Sequence, residues 1–327
     1  MLHIPRGLNV SLAALLGVCM LTGCSRTFKP GTPVVGYLDF VEDDTLAKAR
    51  QGFFEALDEH GFSEKKGTLE VVYRCAQGDQ PTLIQACQYL ISQHPKLIAA
   101  CPTLSTIVAA RQTQAIPILM MVSPRPDIVG LTRAGGGFQS NLLGAYETLD
   151  YLKEGPAIIR QVVPQARVVG LVYNPAEPQS VLALEVIRKA CDEQGLSLEV
   201  TPVSSSSDAV MAAQVLVSKG VQAFFAMPDN TVFGSFEALK KVCDQARLPI
   251  FASESGLVAR GALAAYGADF NAWGRQVGAQ AARILEKDDS SAVQLEPVAV
   301  RKRVFNPQSA ALLGIRMPAG FEPVSAP

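Results

Sequence analysis

The sequence predicts an α/β protein of two doubly wound, Rossmann-like lobes with parallel sheets, and three observations carry that prediction. From residue 34 onward, short runs rich in Val, Ile and Phe alternate with longer segments of helical period, the pattern of repeated βαβ units. The strand candidates fall into two groups of four, parted by a stretch rich in Pro and Gly. A length of 327 residues is about twice that of a typical domain and is enough for two cores.

In chain order, the first group of strands is expected at 34–38, 69–73, 97–101 and 116–122, and the second at 168–173, 197–201, 221–226 and 249–252. Between them, 45–59 reads as a helix because Leu46, Phe53, Leu57 and the neighbouring alanines share one face, and Gly61 ends it. Further helices are expected at about 81–92, 105–112, 177–194, 207–218 and 233–245. The stretch 123–141 holds Pro124, Pro126, Gly130 and Gly135 to Gly137 and reads as a lobe boundary. A late strand at 262–266 and a helix at 269–286 place the return to the first lobe near Ser253. The expected lobes are therefore 34–136 with 253–287, and 137–252 with 288–327, joined by several crossings.

Composition narrows the function. With 48% hydrophobic residues and 18% charged the chain has enough apolar material to fold. A net charge of -1, from 29 Lys+Arg and 30 Asp+Glu, gives no footprint for nucleic acid. Beyond the N-terminus no run approaches the roughly 20 apolar residues of a membrane span.

The N-terminus reads as an address. Arg6 precedes an apolar run over 8–20, followed by Leu21-Thr22-Gly23-Cys24, and this resembles a bacterial lipoprotein signal. The resemblance implies cleavage before Cys24 and lipidation of its sulfur, with residues 1–23 as signal peptide and 24–33 as a tether. The body would then be lipid-anchored on the extracytoplasmic face of a membrane, in the periplasm of a Gram-negative cell. Five cysteines remain, Cys75, Cys87, Cys101, Cys191 and Cys243. Their odd number and the absence of a Cys-x-x-Cys pair favour small buried hydrophobes over disulfides or metal ligands.

Catalytic machinery is not visible. His60 and His94 have no metal-ligand spacing, and there is no nucleophile elbow or phosphate loop. Gly135 to Gly137 lacks the strand-turn-helix setting of a dinucleotide fingerprint. No enzyme activity, cofactor or metal is expected.

In open α/β sheets ligands bind beyond the carboxyl ends of the strands, so the residues there are the site candidates. They are Phe40, then Thr103 and Ser105 at a helix start, Ser123, Tyr173, Asn174 and Glu177, Asp229 and Asn230, and Ser253 beside Glu254. Hydroxyls at a helix start cap amides or share them with a bound anion. An acid such as Asp229 either caps the helix that follows or answers a ligand's ammonium group.

Short motifs along the chain extend this reading: 49–53, His60-Gly61-Phe62, 76–79, 174–177, 228–232, 260–264, 274–276 and 306–314. In order and spacing they resemble the ABC-transporter substrate-binding lipoproteins of the tryptophan/tyrosine type. The resemblance implies the type I periplasmic-binding-protein fold, a small-molecule ligand, most simply an amino acid, and an ABC permease as partner, with the receptor itself expected as a monomer. It further implies that Thr103 and Ser105 hold a ligand carboxylate, that Asp229 pairs with the ammonium, and that Asn230, Asn174 and Glu177 complete the polar frame. Phe40 and Tyr173 are placed by position against the ligand side chain. Ser123-Pro124 stands where the family shows aspartate before proline, and 137–141 departs from Gly-Asn-Val-Thr-Gly, which leaves the ligand open beyond aromatic amino acids. A membrane sensor as partner, and a sugar or nucleoside as ligand, are the alternatives. Trp273, in a helix pattern away from the strand ends, speaks against the sugar.

Overall fold

The computed structural model describes residues 29–324; the expected signal peptide, Cys24 and the start of the tether lie outside the described residues. From Thr32 onward the chain forms one compact unit that contains both lobes. The first lobe opens with β1 (Val34–Asp39), α1 (Asp44–Glu59), β2 (Glu70–Cys75), α2 (Gln80–Ser92), β3 (Leu97–Cys101), α3 (Thr103–Gln112), β4 (Ile118–Met120) and β5 (Leu142–Tyr146). After a 3-10 turn at Asp150–Lys153, the second lobe runs through α4 (Glu154–Val162), β6 (Val168–Tyr173), α5 (Pro178–Glu193), β7 (Ser197–Pro202), α6 (Ser206–Ser218), β8 (Ala223–Ala226), α7 (Asn230–Gly234), α8 (Phe236–Gln245), β9 (Ile250–Glu254), α9 (Ser255–Ala259) and β10 (Ala264–Ala268). The chain then adds α10 (Phe270–Lys287) and β11 (Leu295–Pro297) to the first lobe, and β12 (Arg301–Phe305), α11 (Pro307–Leu313) and β13 (Glu322–Pro323) to the second.

The first sheet has the order β11-β5-β4-β3-β1-β2 and is parallel throughout. The second has the order β13-β12-β10-β9-β8-β6-β7, with β10 and β12 its antiparallel pair. Within each, the five strands of the βαβ repeat follow the same doubly wound order, second-first-third-fourth-fifth. Both faces of each sheet are covered, as continuous apolar strands require: adjacent Phe224 and Phe225 on β8 point into two different cores of the second lobe. Cys87, Cys101, Cys191 and Cys243 are buried, Cys75 is half-buried, and all five are free thiols.

The lobe boundaries differ from the sequence expectation at three places. Leu295–Pro297, expected in the second lobe, pairs with β5 at the edge of the first sheet. Leu142–Tyr146, expected in the second lobe, pairs with β4 in the first sheet; the glycine-rich loop before it masks a short buried strand. Ala264–Ala268, expected in the first lobe, pairs with β9 in the second sheet, so the return crossing falls at Asp269 and not near Ser253. The short strands β11 and β13 at the sheet edges, and β12 between β13 and β10, carry too little pattern to be expected, and the helix at 233–245 is broken into α7 and α8 at Ser235, whose hydroxyl turns back to the Thr231 carbonyl at 2.6 Å.

Although α10 follows a strand of the second lobe, its apolar face joins the first-lobe core through Trp273, Val277 and Ala281. It lies unusually close to α1. A Cβ on Gly274 would stand 1.9 Å from the Ala49 carbonyl oxygen, and one on Gly52 would stand 2.0 Å from that of Asn271. Alanine at 274 would gain about 1 kcal/mol of helix propensity, but parting two packed backbones costs roughly 1–3 kcal/mol, so the clash prevails. Gly274→Ala is expected to lower the urea midpoint of unfolding; an unchanged midpoint would show slack between α1 and α10.

Candidate functional site

The carboxyl ends of the two sheets enclose a cavity of about 50 Å³. Its walls come from the residues just after β3, β4 and β5 of the first lobe, including Thr103, Ser123 and Glu147, and from the ends of β8, β9 and β10 of the second, including Asp229, Glu254 and Ala268. The equivalent strands of the two repeats thus face each other.

On the first lobe, Thr103 begins α3, and the residue before it is Pro102, whose side chain offers no acceptor. The opening amides of α3 therefore have no side-chain cap, unlike α1, α2, α7, α9 and α10, which are capped by Asp43, Asp79, Asp229, Glu254 and Asp269. Unmet amides and the positive end of the helix dipole together favour an anion. Ser105 is buried behind Thr103, and its hydroxyl has no hydrogen-bond partner.

The second lobe presents the opposite chemistry. Asp229, 1% exposed, accepts from the backbone N–H of Asn174 at 2.6 Å and of Val232 at 2.9 Å. Each oxygen keeps a lone pair for a further donor. Glu254, also 1% exposed, accepts from the amide of Gly256 and, at 2.7 Å, from that of Leu257. Burial pushes the Asp229 carboxyl up from the usual carboxylate range and raises Glu254 to about 8. Behind them Glu177 accepts from Gln179 Nε2, from Asn230 N at 3.0 Å and from Asn230 Nδ2 at 2.9 Å. Burial, with the Asp229 charge second, brings Glu177 to about 7.

The crossing segments supply the remaining walls. Glu147 receives Arg301 in a two-pronged pair, with Nε to Oε2 at 2.8 Å, which joins the crossing after β5 to the one before β12. Phe233, Phe270 and Trp273 give the cavity aromatic surface; Phe270 and Trp273 meet edge to face at 6.0 Å, and the indole N–H donates to the Ala145 carbonyl at 3.1 Å. No Lys, Arg or His lines the cavity, and no group of His, Cys, Asp and Glu among the described residues could hold a metal ion.

Of the residues expected from sequence, Thr103, Ser123, Asp229, Asn230 and Ser253 line the cavity. Asn174, Glu177 and Ser105 stand outside the lining, the first two binding the backbone or side chains of Asp229 and Asn230. Phe40 and Tyr173 also lie outside it: the Phe40 amide is tied to the Cys101 carbonyl and the Tyr173 carbonyl to the Val203 amide, and the Tyr173 ring packs on a second-lobe core. Trp273, set apart as remote from the strand ends, lines the cavity because α10 starts directly at the end of β10 and its first turn is itself a strand end. Glu147, Tyr151, Gln179 and Phe233 were also missed; Glu147 follows β5, the strand that was not foreseen.

One ion pair spans the lobes beside the cavity. Arg260, just after α9, grips Glu237 through Nε and Nη2 at 2.8 and 2.7 Å and the Phe233 carbonyl at 3.1 Å. Its Nη1 crosses to the α1 cap, Asp43, at 2.7 Å and to Thr45 at 3.2 Å. The side chains of Arg260 and Asp43 are 12% and 4% exposed, so this pair is shielded far better than a surface bridge.

Two doubly wound lobes, several chain crossings and a cavity between opposed strand ends define a type I periplasmic-binding-protein fold. The chain belongs to the ABC transporter substrate binding protein family, which matches residues 34–322. It is 29% identical over 293 residues, 85% of this chain and 84% of the relative, to the tyrosine-binding protein of Clostridioides difficile (strain R20291). Among solved structures it resembles a conserved domain protein from Vibrio cholerae, with a TM-score of 0.80 and 26% identity over 88% of this chain and 96% of that one. An ABC domain in complex with L-Trp from Streptococcus pneumonia matches at a TM-score of 0.79 and 22% identity, covering 88% and 96% of the two chains.

Two expectations follow from the site. Glu254 and Glu177 are protonated in the fold up to about pH 8 and about pH 7, against 4.5 for an ordinary glutamate. The folded state is thus the better proton binder between those limits, so stability is greatest at the acid end of the window and is lost as the pH rises through it. Urea unfolding should give a lower midpoint at pH 8 than at pH 5, and Glu254→Gln should narrow the difference; a midpoint that rises with pH would contradict this. Arg260→Gln should weaken the lobe contact by roughly 3 kcal/mol and enlarge the radius of gyration of the ligand-free chain in X-ray scattering. An identical radius would remove the pair as a brace.

Proposed function

We propose that the chain is the lipid-anchored receptor of an ABC importer, which captures a free α-amino acid between its lobes and delivers it to a membrane permease. The observation that carries this is the polarity of the cavity: an uncapped helix start on the first lobe faces buried carboxylates on the second. A zwitterion satisfies both walls at once. Its carboxylate would lie at the α3 amides and Thr103, with Ser123 beside it, and its ammonium at Asp229, with Asn230 and Ser253 completing the contact. Asn174, Glu177 and Ser105 support these groups from behind. The relative that binds tyrosine and the neighbour solved with L-Trp agree with an amino-acid ligand. Cys24 would carry the lipid, holding the receptor, as a monomer, on the extracytoplasmic face.

Because the walls of the cavity come from strand ends of both lobes, capture proceeds by opening and closing. A ligand that touches both walls only when they meet shifts that equilibrium toward the closed form, and the Arg260–Asp43 pair forms with the same closure. The second reading is a sugar, favoured by Phe233, Phe270 and Trp273 around the cavity, since aromatic faces suit sugar rings.

A thermal-shift screen of amino acids, sugars and nucleosides separates the two. Native-state binding adds about 2.7 kcal/mol at a hundredfold excess over Kd, and amino acids are expected to give the shift. Asp229→Asn keeps the shape of the α7 cap and should weaken amino-acid binding by roughly 3–5 kcal/mol, as for other broken buried pairs. Unchanged affinity by calorimetry would take Asp229 out of the site, and a shift with sugars alone would favour the second reading.

A further inference from the structure

The cavity holds more acidic groups than one ammonium group answers. Three carboxyl groups line it, Glu147 after β5 and Asp229 and Glu254 on the second lobe, and no cationic side chain does. Glu147 is matched by Arg301. Among the described residues no Lys, Arg or His comes within 4.0 Å of Asp229 or Glu254, although both are buried. The cation that Glu254 senses, Arg260, is held by Asp43 and Glu237.

A separate observation comes from α5. Gln179, 4% exposed, lines the cavity; its Nε2 donates to Glu177 and its Oε1 has no hydrogen-bond partner. A buried acceptor without a donor costs roughly 1–3 kcal/mol. Asn230 likewise has its Nδ2 engaged with Glu177. Both amide side chains of this wall thus have a donor turned away from the cavity toward Glu177.

Resting on the amino-acid reading above, we infer that the cleft selects a ligand with a second cationic nitrogen, read by Glu254 together with Gln179 Oε1: a dibasic amino acid. A neutral aromatic amino acid brings one ammonium, which Asp229 takes, and leaves Glu254 facing apolar carbon after closure expels water. A phenol or indole donor would serve Gln179 but would bring no charge to Glu254. A lysine- or arginine-like side chain serves both, and its alkyl stem packs on Phe233, Phe270 and Trp273, as such stems do on apolar surface.

Calorimetry of the full chain with L-lysine, L-arginine, L-tyrosine, L-tryptophan and the diamine putrescine tests this. The dibasic amino acids should bind roughly 100-fold tighter than the aromatic ones, the size expected for a hydrogen bond to a charged group. Glu254→Gln should abolish that preference. Because Glu254 also caps α9, Gln179→Leu provides a variant that leaves that cap intact, and it should reduce lysine binding about tenfold. Tight binding of tyrosine or tryptophan without lysine or arginine overturns the inference and leaves the amino-acid reading standing. Putrescine binding that depends on Glu254, with no amino acid bound, supports the two-cation wall and overturns the amino-acid reading. Binding of none of the five overturns both.

Discussion

The site depends on how backbone amides at the starts of helices are satisfied. Each strand-to-helix turn must answer several amides that have no partner within the helix, and at five helices this chain does so with a carboxylate: Asp43, Asp79, Asp229, Glu254 and Asp269. The starts of α3, α4, α5, α6 and α8 have no side-chain cap. Because the two sheets share one strand order and oppose their carboxyl ends, the uncapped start of α3 and two of the capping carboxylates come to face one cavity. Asp229 and Glu254 thereby do two jobs. Their amide bonds satisfy carboxyl oxygens that burial would otherwise leave unpaired, and both groups line the cavity.

The same economy governs closure. Asp43 caps α1 with one oxygen and receives Arg260 with the other, so the contact between lobes rests on a group already fixed by the helix it caps. Arg260 is equally constrained, held by Glu237 and by the carbonyl of Phe233, a cavity residue. Two pre-ordered partners lose little side-chain entropy on meeting, which is the condition under which an ion pair contributes. The pair lies outside the cavity lining. In the closure proposed above it would favour the closed form for any ligand, with discrimination left to the lining itself.

Much of this was legible in the sequence, and what was not has identifiable causes. Long apolar strands and amphipathic helices announced both lobes, since each buries a continuous pattern. The three-residue strand β11 and the two-residue β13 have no pattern to show, and β5 sits behind a run of glycines that reads as linker. Missing β5 also hid Glu147, whose role depends on being the residue after that strand. Thr103, Ser123, Asp229, Asn230 and Ser253 were found because position after a strand is a sequence-level property. Phe40 and Tyr173 satisfied the same rule but stand at the ends of β1 and β6, strands that lie beside the cavity-forming ones. Which strand ends converge is a property of sheet order, which a list of strands does not contain.

Trp273 shows the complementary case. The sequence places it in a helix pattern away from the strand ends, and it packs with Val277 and Ala281 in the first-lobe core. It also lines the cavity, because α10 leaves the second sheet at Asp269 and packs at once on α1, where Gly52 and Gly274 let the backbones come close. The close approach of α1 and α10 at these glycines therefore helps fix where the first turn of α10 stands, and with it two aromatic residues of the lining, Phe270 and Trp273. Core packing and the shape of the cavity share one constraint at this helix.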